Sequence, residues 1–408
     1  MARRRHQPDR HGVAPGPNGK ARSRSASTVT TRVDSADEPS LRVGIVGAGA
    51  AGAGAAYALR DVDAEVTIVE KSGGVCGRAA TRRKNGCRYD HGANYVTEAD
   101  ERTASLLPEL GTDGLVEIDE PVWTFDETGE IGEGDRESTK WTWTEGITQL
   151  SKRLLAATDA TVHRRTRVAE ITHSRSGSGD ADSDAGGDAD SDAGGGADSD
   201  ANDTWTLTDT DGEQYGPFDV LLLTPPAPQT ADLLRATAWE DDRLGSLVDA
   251  VEAVDYRTIR TIVLHYPFRE AYPWYALVNT DKEHAIGWLS REECKAGHVP
   301  DGESLLVVQM SPEWSTVNYD DPLETVADDV TDRVATLLGD DRYAGPDWID
   351  DQGWRYALPD GAVGGDAATL AADAGLYVAG DWVAGEGRVP RALWNGYDVG
   401  ERIGSDRQ

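Results

Sequence analysis

Val43-Gly44-Ile45-Val46-Gly47-Ala48-Gly49-Ala50-Ala51-Gly52 is the stretch that decides the fold. Leu41–Val46 reads as a buried strand, Ala50–Arg60 as an alanine-rich helix and Glu65–Val69 as a second strand. Within that frame each glycine has a task. Gly47 permits the tight turn after the strand, Gly49 lets the backbone approach a pyrophosphate, and Gly52 allows close helix packing. The amino end of the helix offers free N–H groups and a favourable dipole to phosphates. Glu70 ends the second strand, where an acid can accept hydrogen bonds from an adenosine ribose. A glycine-rich turn alone says little; strand, turn, helix, strand and acid together predict a dinucleotide site.

The next segment narrows the dinucleotide. Lys71-Ser72-Gly73-Gly74-Val75-Cys76-Gly77-Arg78 is a second glycine-rich loop ending in an arginine suited to bidentate phosphate contact. Here the chain resembles the flavin amine-oxidase superfamily, in which such a loop completes the pyrophosphate site of FAD. The resemblance is closer to one branch, the renalase-like proteins. It rests on Gly77-Arg78-Ala79-Ala80-Thr81-Arg82-Arg83, Tyr89-Asp90-His91-Gly92-Ala93-Asn94-Tyr95-Val96-Thr97 and Thr224-Pro225-Pro226-Ala227-Pro228-Gln229. Ser311-Pro312-Glu313-Trp314-Ser315, Trp354-Arg355-Tyr356-Ala357 and Ala379-Gly380-Asp381-Trp382 extend it. These matches fall in family order between about Leu41 and Ile403. Two departures are His91, where an apolar residue is common, and Pro390-Arg391 before the last helix.

The resemblance implies an α/β fold: a discontinuous FAD-binding Rossmann-like domain of amine-oxidase type, closed by the end of the chain. A second, substrate domain would stand on a mostly antiparallel sheet. The implied boundaries are 41–102, 141–240 and 350–408 for the FAD domain, and 103–140 and 241–349 for the substrate domain. FAD would be held by Gly47, Gly49, Gly52, Glu70, Lys71, Gly77 and Arg78, with Val168 meeting the adenine through its backbone. Gly380 and Asp381 would contact the ribityl and phosphate part, although an acid after a strand could also cap a helix. The helix from about Arg391 would aim its positive amino end at the flavin pyrimidine and stabilise charge on the reduced ring.

Further along the chain, Thr144–Ala157 reads as an amphipathic helix, Asp219–Leu223 as a buried strand and Pro322–Leu338 as a helix. Strands are expected near Ile259–Leu264, Trp274–Val278, Ala285–Leu289 and Ser304–Gln309. Residues 1–40 carry eight Lys/Arg against four acids and almost no aliphatic side chains, the pattern of a disordered basic tail. Asp180–Asp203, inside an acidic insert spanning 174–203, repeats Asp-Ala-Asp-Ser-Asp-Ala-Gly-Gly. As a calcium loop from Asp180 it would place Ala185 at the glycine position and Ser191 at the bidentate glutamate, so it reads as low-complexity sequence.

The 408 residues have 73 Asp+Glu against 40 Lys+Arg, a net charge of −33, and only seven lysines. Such a surface stays hydrated in concentrated salt, where screening removes its self-repulsion, and points to a halophilic archaeon. It repels nucleic acid. Three cysteines, Cys76, Cys87 and Cys294, make no disulfide framework. Cys294 and His298 have a helical metal-ligand spacing, but nothing nearby completes a tetrahedral set, and no metal is expected. No apolar run of about eighteen residues suggests a membrane span, and no signal core follows Arg3–Arg5, so the chain reads as soluble and cytoplasmic.

No cysteine lies in the segment where some amine oxidases tether their flavin, so the FAD is expected to be non-covalent. Amine oxidases also commonly set a lysine near flavin N5. Lys282 and Lys295 are the available lysines of the substrate sheet, and their charged surroundings read as solvated surface. Twelve tryptophans against three phenylalanines is unusual; most of these rings read as core, with one or two aromatic residues lining the substrate cavity, Tyr95 and Trp382 the foremost candidates. No catalytic base stands out. The resemblance to the renalase-like proteins implies oxidation of dihydronicotinamide (NAD(P)H isomer) substrates, with O2 as acceptor giving H2O2, and the lack of a base fits it because the cofactor carries the hard step. An amine oxidase is the alternative enzyme, and a flavoprotein serving as a binding or sensing module the alternative of a different class. The fold alone does not choose among them, and oligomeric state is not legible.

Overall fold

The computed structural model describes residues 41–98, 100–134, 138–174 and 203–406. The basic tail and the repeats of the acidic insert lie outside them. Strand β1 (Leu41–Val46) runs into helix α1 (Ala50–Ala58) and returns as β2 (Ala64–Glu70). A five-stranded sheet is built around this unit in the order Thr161–Arg164, β2, β1, Val220–Leu223, Leu376–Val378. Every neighbouring pair is parallel. Parallel strands are covered on both faces, and the near-continuous burial of Val43–Val46 and Val220–Leu223 reflects that.

The last strand and the last helix come from the far end of the chain. Helix Val389–Asp406 lies directly on α1, and both helices thin their contact face. A Cβ on Gly396 would stand 2.0 Å from the Ala51 carbonyl oxygen, and one on Gly54 would stand 2.5 Å from that of Leu393. Any larger residue would push the helices apart. The helix begins at Val389, two residues before the expected Arg391, because Pro390 fits a first turn whose amide needs no partner.

The second layer is a seven-stranded sheet in the order Trp348–Pro359, Tyr256–Tyr266, Ser304–Met310, Ile286–Arg291, Ala276–Asn279, Val122–Phe125, Ile131–Gly132. All pairs are antiparallel except Ala276–Asn279 with Val122–Phe125. Helix Leu323–Leu338 covers one face, packing Val330, Val334 and Leu337 on Ile262, Leu264, Leu306 and Val308. A three-stranded sheet pairs Lys140–Trp143 with Val96–Thr97 and Leu115–Glu117.

The expected helix over Thr144–Ala157 starts only at Gln149. Gly146, at φ +89°, turns the chain where an added Cβ would come within 2.2 Å of Thr81 Oγ1. The Ile147 amide is spent on Asp90 rather than on a helix. No helix among the described residues is long and apolar enough to cross a membrane.

Candidate active site

Between the parallel sheet and the seven-stranded sheet lies a cleft of about 2390 Å³. Drug-sized ligands need a few hundred to about 1,000 Å³, so this space suits a dinucleotide together with a substrate. Gly47, Gly49, Glu70, Lys71, Gly77, Arg78, Val168, Gly380 and Asp381 all line it. Gly52 does not, but its Cβ would stand 2.0 Å from the Gly47 oxygen, so its place is in closing the helix onto the turn.

The turn after β1 depends on Gly47, whose φ is +102°. Gly49 caps α1, and the space its Cβ would fill is empty to 4 Å, which leaves the first-turn amides open to the cleft. Glu70 is buried and does more than its position suggested. Its Oε2 accepts from Ala48 N at 2.8 Å and its Oε1 from Ser72 N at 2.7 Å. One carboxylate thus ties the first glycine turn to the second, and each oxygen retains a lone pair for a further donor.

Arg78 reaches across the chain. Its Nη2 donates to Asp381 Oδ1 at 2.8 Å, and its Nη1 donates to the Ala357 oxygen at 3.0 Å. Burial opposes its charge, but Asp381 and Tyr256 together outweigh burial and hold the guanidinium pKa above its ordinary value. The Gly92 loop is clamped to the same place, with Ala93 N donating to the Arg78 oxygen and Gln309 Nε2 to the Gly92 oxygen. His91 stacks on Trp354 at 5.3 Å, and Trp354 Nε1 donates to the His91 oxygen. The His91 Nδ1 is buried without a hydrogen-bond partner. Burial, aided by Arg82, pushes the His91 pKa down to about 4, so the ring is neutral at pH 7.

Two expectations need correction. Trp382 is no cavity wall: it is fully buried in the core behind the parallel sheet, with Nε1 donating to the Pro225 oxygen at 3.0 Å. Its ring packs into that core, while Gly380 and Asp381, just before it, line the cleft. Tyr95 does line the cleft, beside Trp288 at 6.1 Å.

Lys295 is not solvated surface either. Its side chain is 0% exposed, with Nζ 3.0 Å from Asp90 Oδ2 and 2.7 Å from Glu292 Oε1. His298 Nδ1 lies 2.8 Å from Glu292 Oε2, and its Nε2 lies 3.0 Å from the Trp143 oxygen. A carbonyl can only accept, so Nε2 carries hydrogen. The run from Arg291 to Lys295 looked hydrated because its charges are dense; they are instead matched inside the fold. Asp90, Glu292 and His298 bring ligand atoms together as a metal site would, and the Lys295 ammonium stands among them as the cation. Lys282 is exposed, though it does border the cleft.

Lys140 was missed. It opens the strand Lys140–Trp143, is 7% exposed, and lines the cleft opposite its strand partner Thr97. The signal was the alternation Lys-Trp-Thr-Trp, which puts Lys140 and Thr142 on one face.

The residues of the cleft fit FAD: an open glycine cradle, a helix amino end, an acid and an arginine stand along one wall. Comparison with known proteins agrees. Residues 45–110 match the model of an NAD(P)-binding Rossmann-like domain, and residues 123–403 match that of flavin containing amine oxidoreductases. Protoporphyrinogen oxidase 2 of Arabidopsis thaliana is 44% identical over 70 residues, which are 17% of this chain and 14% of that protein. Among solved structures, cyclohexylamine oxidase from Brevibacterium oxydans is 14% identical with a TM-score of 0.63, covering 90% of this chain and 99% of that one. A fatty acid isomerase from P. acnes is 15% identical with a TM-score of 0.60 and the same coverage. Those two likenesses carry the fold alone. The family match spans more than half of the sequence, and the chain belongs to the flavin containing amine oxidoreductases as an FAD-dependent oxidoreductase.

Proposed function

We propose that this protein is a renalase-like oxidase that converts dihydronicotinamide isomers of NAD(P)H, with O2 and one proton, to NAD(P)⁺ and H2O2. FAD, when bound, would supply the hydride acceptor and the route for electrons to O2. The observation that carries the reading is the chemistry of the wall opposite the glycine loops. Among the described residues the strands there present Val122, Thr124, Lys140, Val278, Trp288, Gln309 and Met310 to the cleft, and no carboxylate; Glu313 borders the cleft from the short helix Pro312–Val317 that follows. A polyamine would need acids at that wall; a dihydropyridine, flat and without a positive charge before oxidation, does not. Tyr95 and Trp288 offer it aromatic surface. Its oxidation yields an aromatic cation, so the protein's part is orientation rather than strong base catalysis.

In this reading the first-turn amides of α1, Gly77 and Arg78 hold the pyrophosphate, with Lys71 beside them. Glu70 takes the ribose, the Val168 backbone meets the adenine, and Gly380 and Asp381 meet the ribityl chain. The amino end of the helix Val389–Asp406 faces the pyrimidine; Gly387, Arg388, Val389 and Pro390 border the cleft. Segments 41–102, 141–240 and 350–408 would form the FAD domain, and 103–140 and 241–349 the substrate domain. A cytoplasmic setting in a halophile accords with the acidic, lysine-poor composition.

The reading is tested by anaerobic flavin reduction in high potassium chloride. Rapid bleaching by dihydronicotinamide isomers, and not by primary amines or polyamines, is the expected result. Bleaching by amines alone would make the protein an amine oxidase, which the aromatic wall also suits when the amine is neutral.

A further inference from the structure

We propose that Lys140 is the anchor for a negative group on the substrate, a phosphate or a carboxylate, at the end of the cleft over the seven-stranded sheet. The proposal rests on the reading of that end as the substrate site. A buried ammonium needs a partner, because the charge has left water without a counter-charge to replace hydration. The chain's other deeply buried lysine shows what a satisfied one looks like: Lys295 has two carboxylates within 3.0 Å. Lys140 has none within ion-pair distance among the described residues. Its polar contact among the described residues is the Ser138 oxygen at 3.4 Å, long for an N–H···O bond.

The wider surroundings do not make up the difference. Glu117, Glu120 and Asp119 act on Lys140 from a distance and favour its charge, yet burial outweighs them and pulls its pKa below the ordinary lysine value. A structural alternative is that the aliphatic stem fills the wall while the ammonium turns to water. The 7% exposure leaves little room for that, and the side chain borders the cleft rather than the outer surface. An anion arriving in the cleft would supply the missing counter-charge in a water-poor setting, where a charge-assisted hydrogen bond is strong. Exposed Lys282 borders the same cleft. Among the described residues that line the cleft, nine Lys/Arg, three of them lysines, stand against five Asp/Glu, a local reversal of sign in a protein of net charge −33.

The test uses the FAD-loaded full chain at one fixed potassium chloride concentration, with binding read from perturbation of the flavin absorption spectrum. The probes are nicotinamide mononucleotide, nicotinamide riboside (the same molecule without its phosphate) and hexanoate. The wild type is expected to bind the mononucleotide about tenfold more tightly than the riboside. Lys140→Met should remove that preference, Lys140→Arg should restore most of it, and riboside binding and flavin content should be unchanged in both. In turnover, Lys140→Met should raise KM about tenfold and leave kcat within about threefold. A Lys140→Met chain that keeps the full phosphate preference overturns the proposal. So does a collapse of kcat at unchanged KM, and so does a wild type that favours neither anion. Lys140-dependent binding of hexanoate with no preference for the mononucleotide would keep the anchor and reject the dihydronicotinamide substrate.

Discussion

Arg78 and Asp381 stand 303 residues apart in sequence and 2.8 Å apart in space, an ion pair on the floor of the cleft. Asp381 is 6% exposed at its side chain and Arg78 28%, so the pair is only partly screened by water. It joins the second glycine loop to the strand–helix turn that completes the parallel sheet. Arg78→Ala would leave Asp381 buried without its cation. The expected outcome is a loss of about 2–4 kcal/mol in stability and release of FAD on dialysis, checked by thermal unfolding and by the flavin-to-protein absorbance ratio. A variant that retains full flavin would remove Arg78 from the pyrophosphate site.

Lys295→Met is expected to cost about 3–5 kcal/mol, because Asp90 and Glu292 would remain buried as uncompensated acids. The damage should be to folding and not to flavin chemistry, since Lys295 does not border the cleft. Normal kcat in the surviving folded fraction, with a melting temperature many degrees lower, is the expected pair of readings. A variant of normal stability with slowed flavin reduction would instead give Lys295 a role in the reaction.

His91 makes stability depend on acidity. Its folded pKa of about 4 lies below the unfolded value near 6.5, so the unfolded chain takes up a proton first as pH falls. Stability attributable to His91 is therefore whole above pH 6.5, declines between 6.5 and 4, and has fallen by about 3 kcal/mol below that. Asp90, whose burial is outweighed by Lys295, His298 and Thr81 together so that its pKa is lowered, loses its own contribution at lower pH again. Chemical denaturation from pH 7.5 to 4.5 should show His91→Leu with a flatter profile than wild type. Identical slopes would contradict the buried neutral ring.

Two glycines of helices should respond in opposite senses to alanine. Gly396→Ala forces a methyl against the Ala51 backbone and should cost about 2 kcal/mol or more, with weakened FAD retention as the helix Val389–Asp406 shifts. Gly245, in the helix Arg243–Glu252, has nothing within 4 Å of its Cβ position. Gly245→Ala should raise stability by about 0.5–1 kcal/mol. Paired melting curves decide both.

The parallel unit was legible because local rules govern it: glycine spacing, a buried run of valine and isoleucine, and an acid at the strand's end. The strands Tyr256–Tyr266 and Ser304–Met310 were visible for the same reason, as apolar runs of strand length. What stayed hidden depends on partners distant in sequence. Lys295 looked hydrated because nothing near it announces Asp90, 205 residues away. Trp382 looked like a cavity wall because its neighbours Gly380 and Asp381 are; one step along the chain points the ring to the opposite side. Lys140 was passed over because a lysine beginning a strand resembles an edge charge until Val96–Thr97 and Leu115–Glu117 flank it.

The helix Val389–Asp406 has a consequence for how the molecule is made. The surface of α1 shaped by Gly54 fits a helix translated more than 300 residues later. The fifth strand, Leu376–Val378, arrives scarcely sooner. A nascent chain therefore carries a half-covered alanine-rich helix and an unfinished sheet edge until those distant segments are made. Closure of the cofactor cradle waits for them.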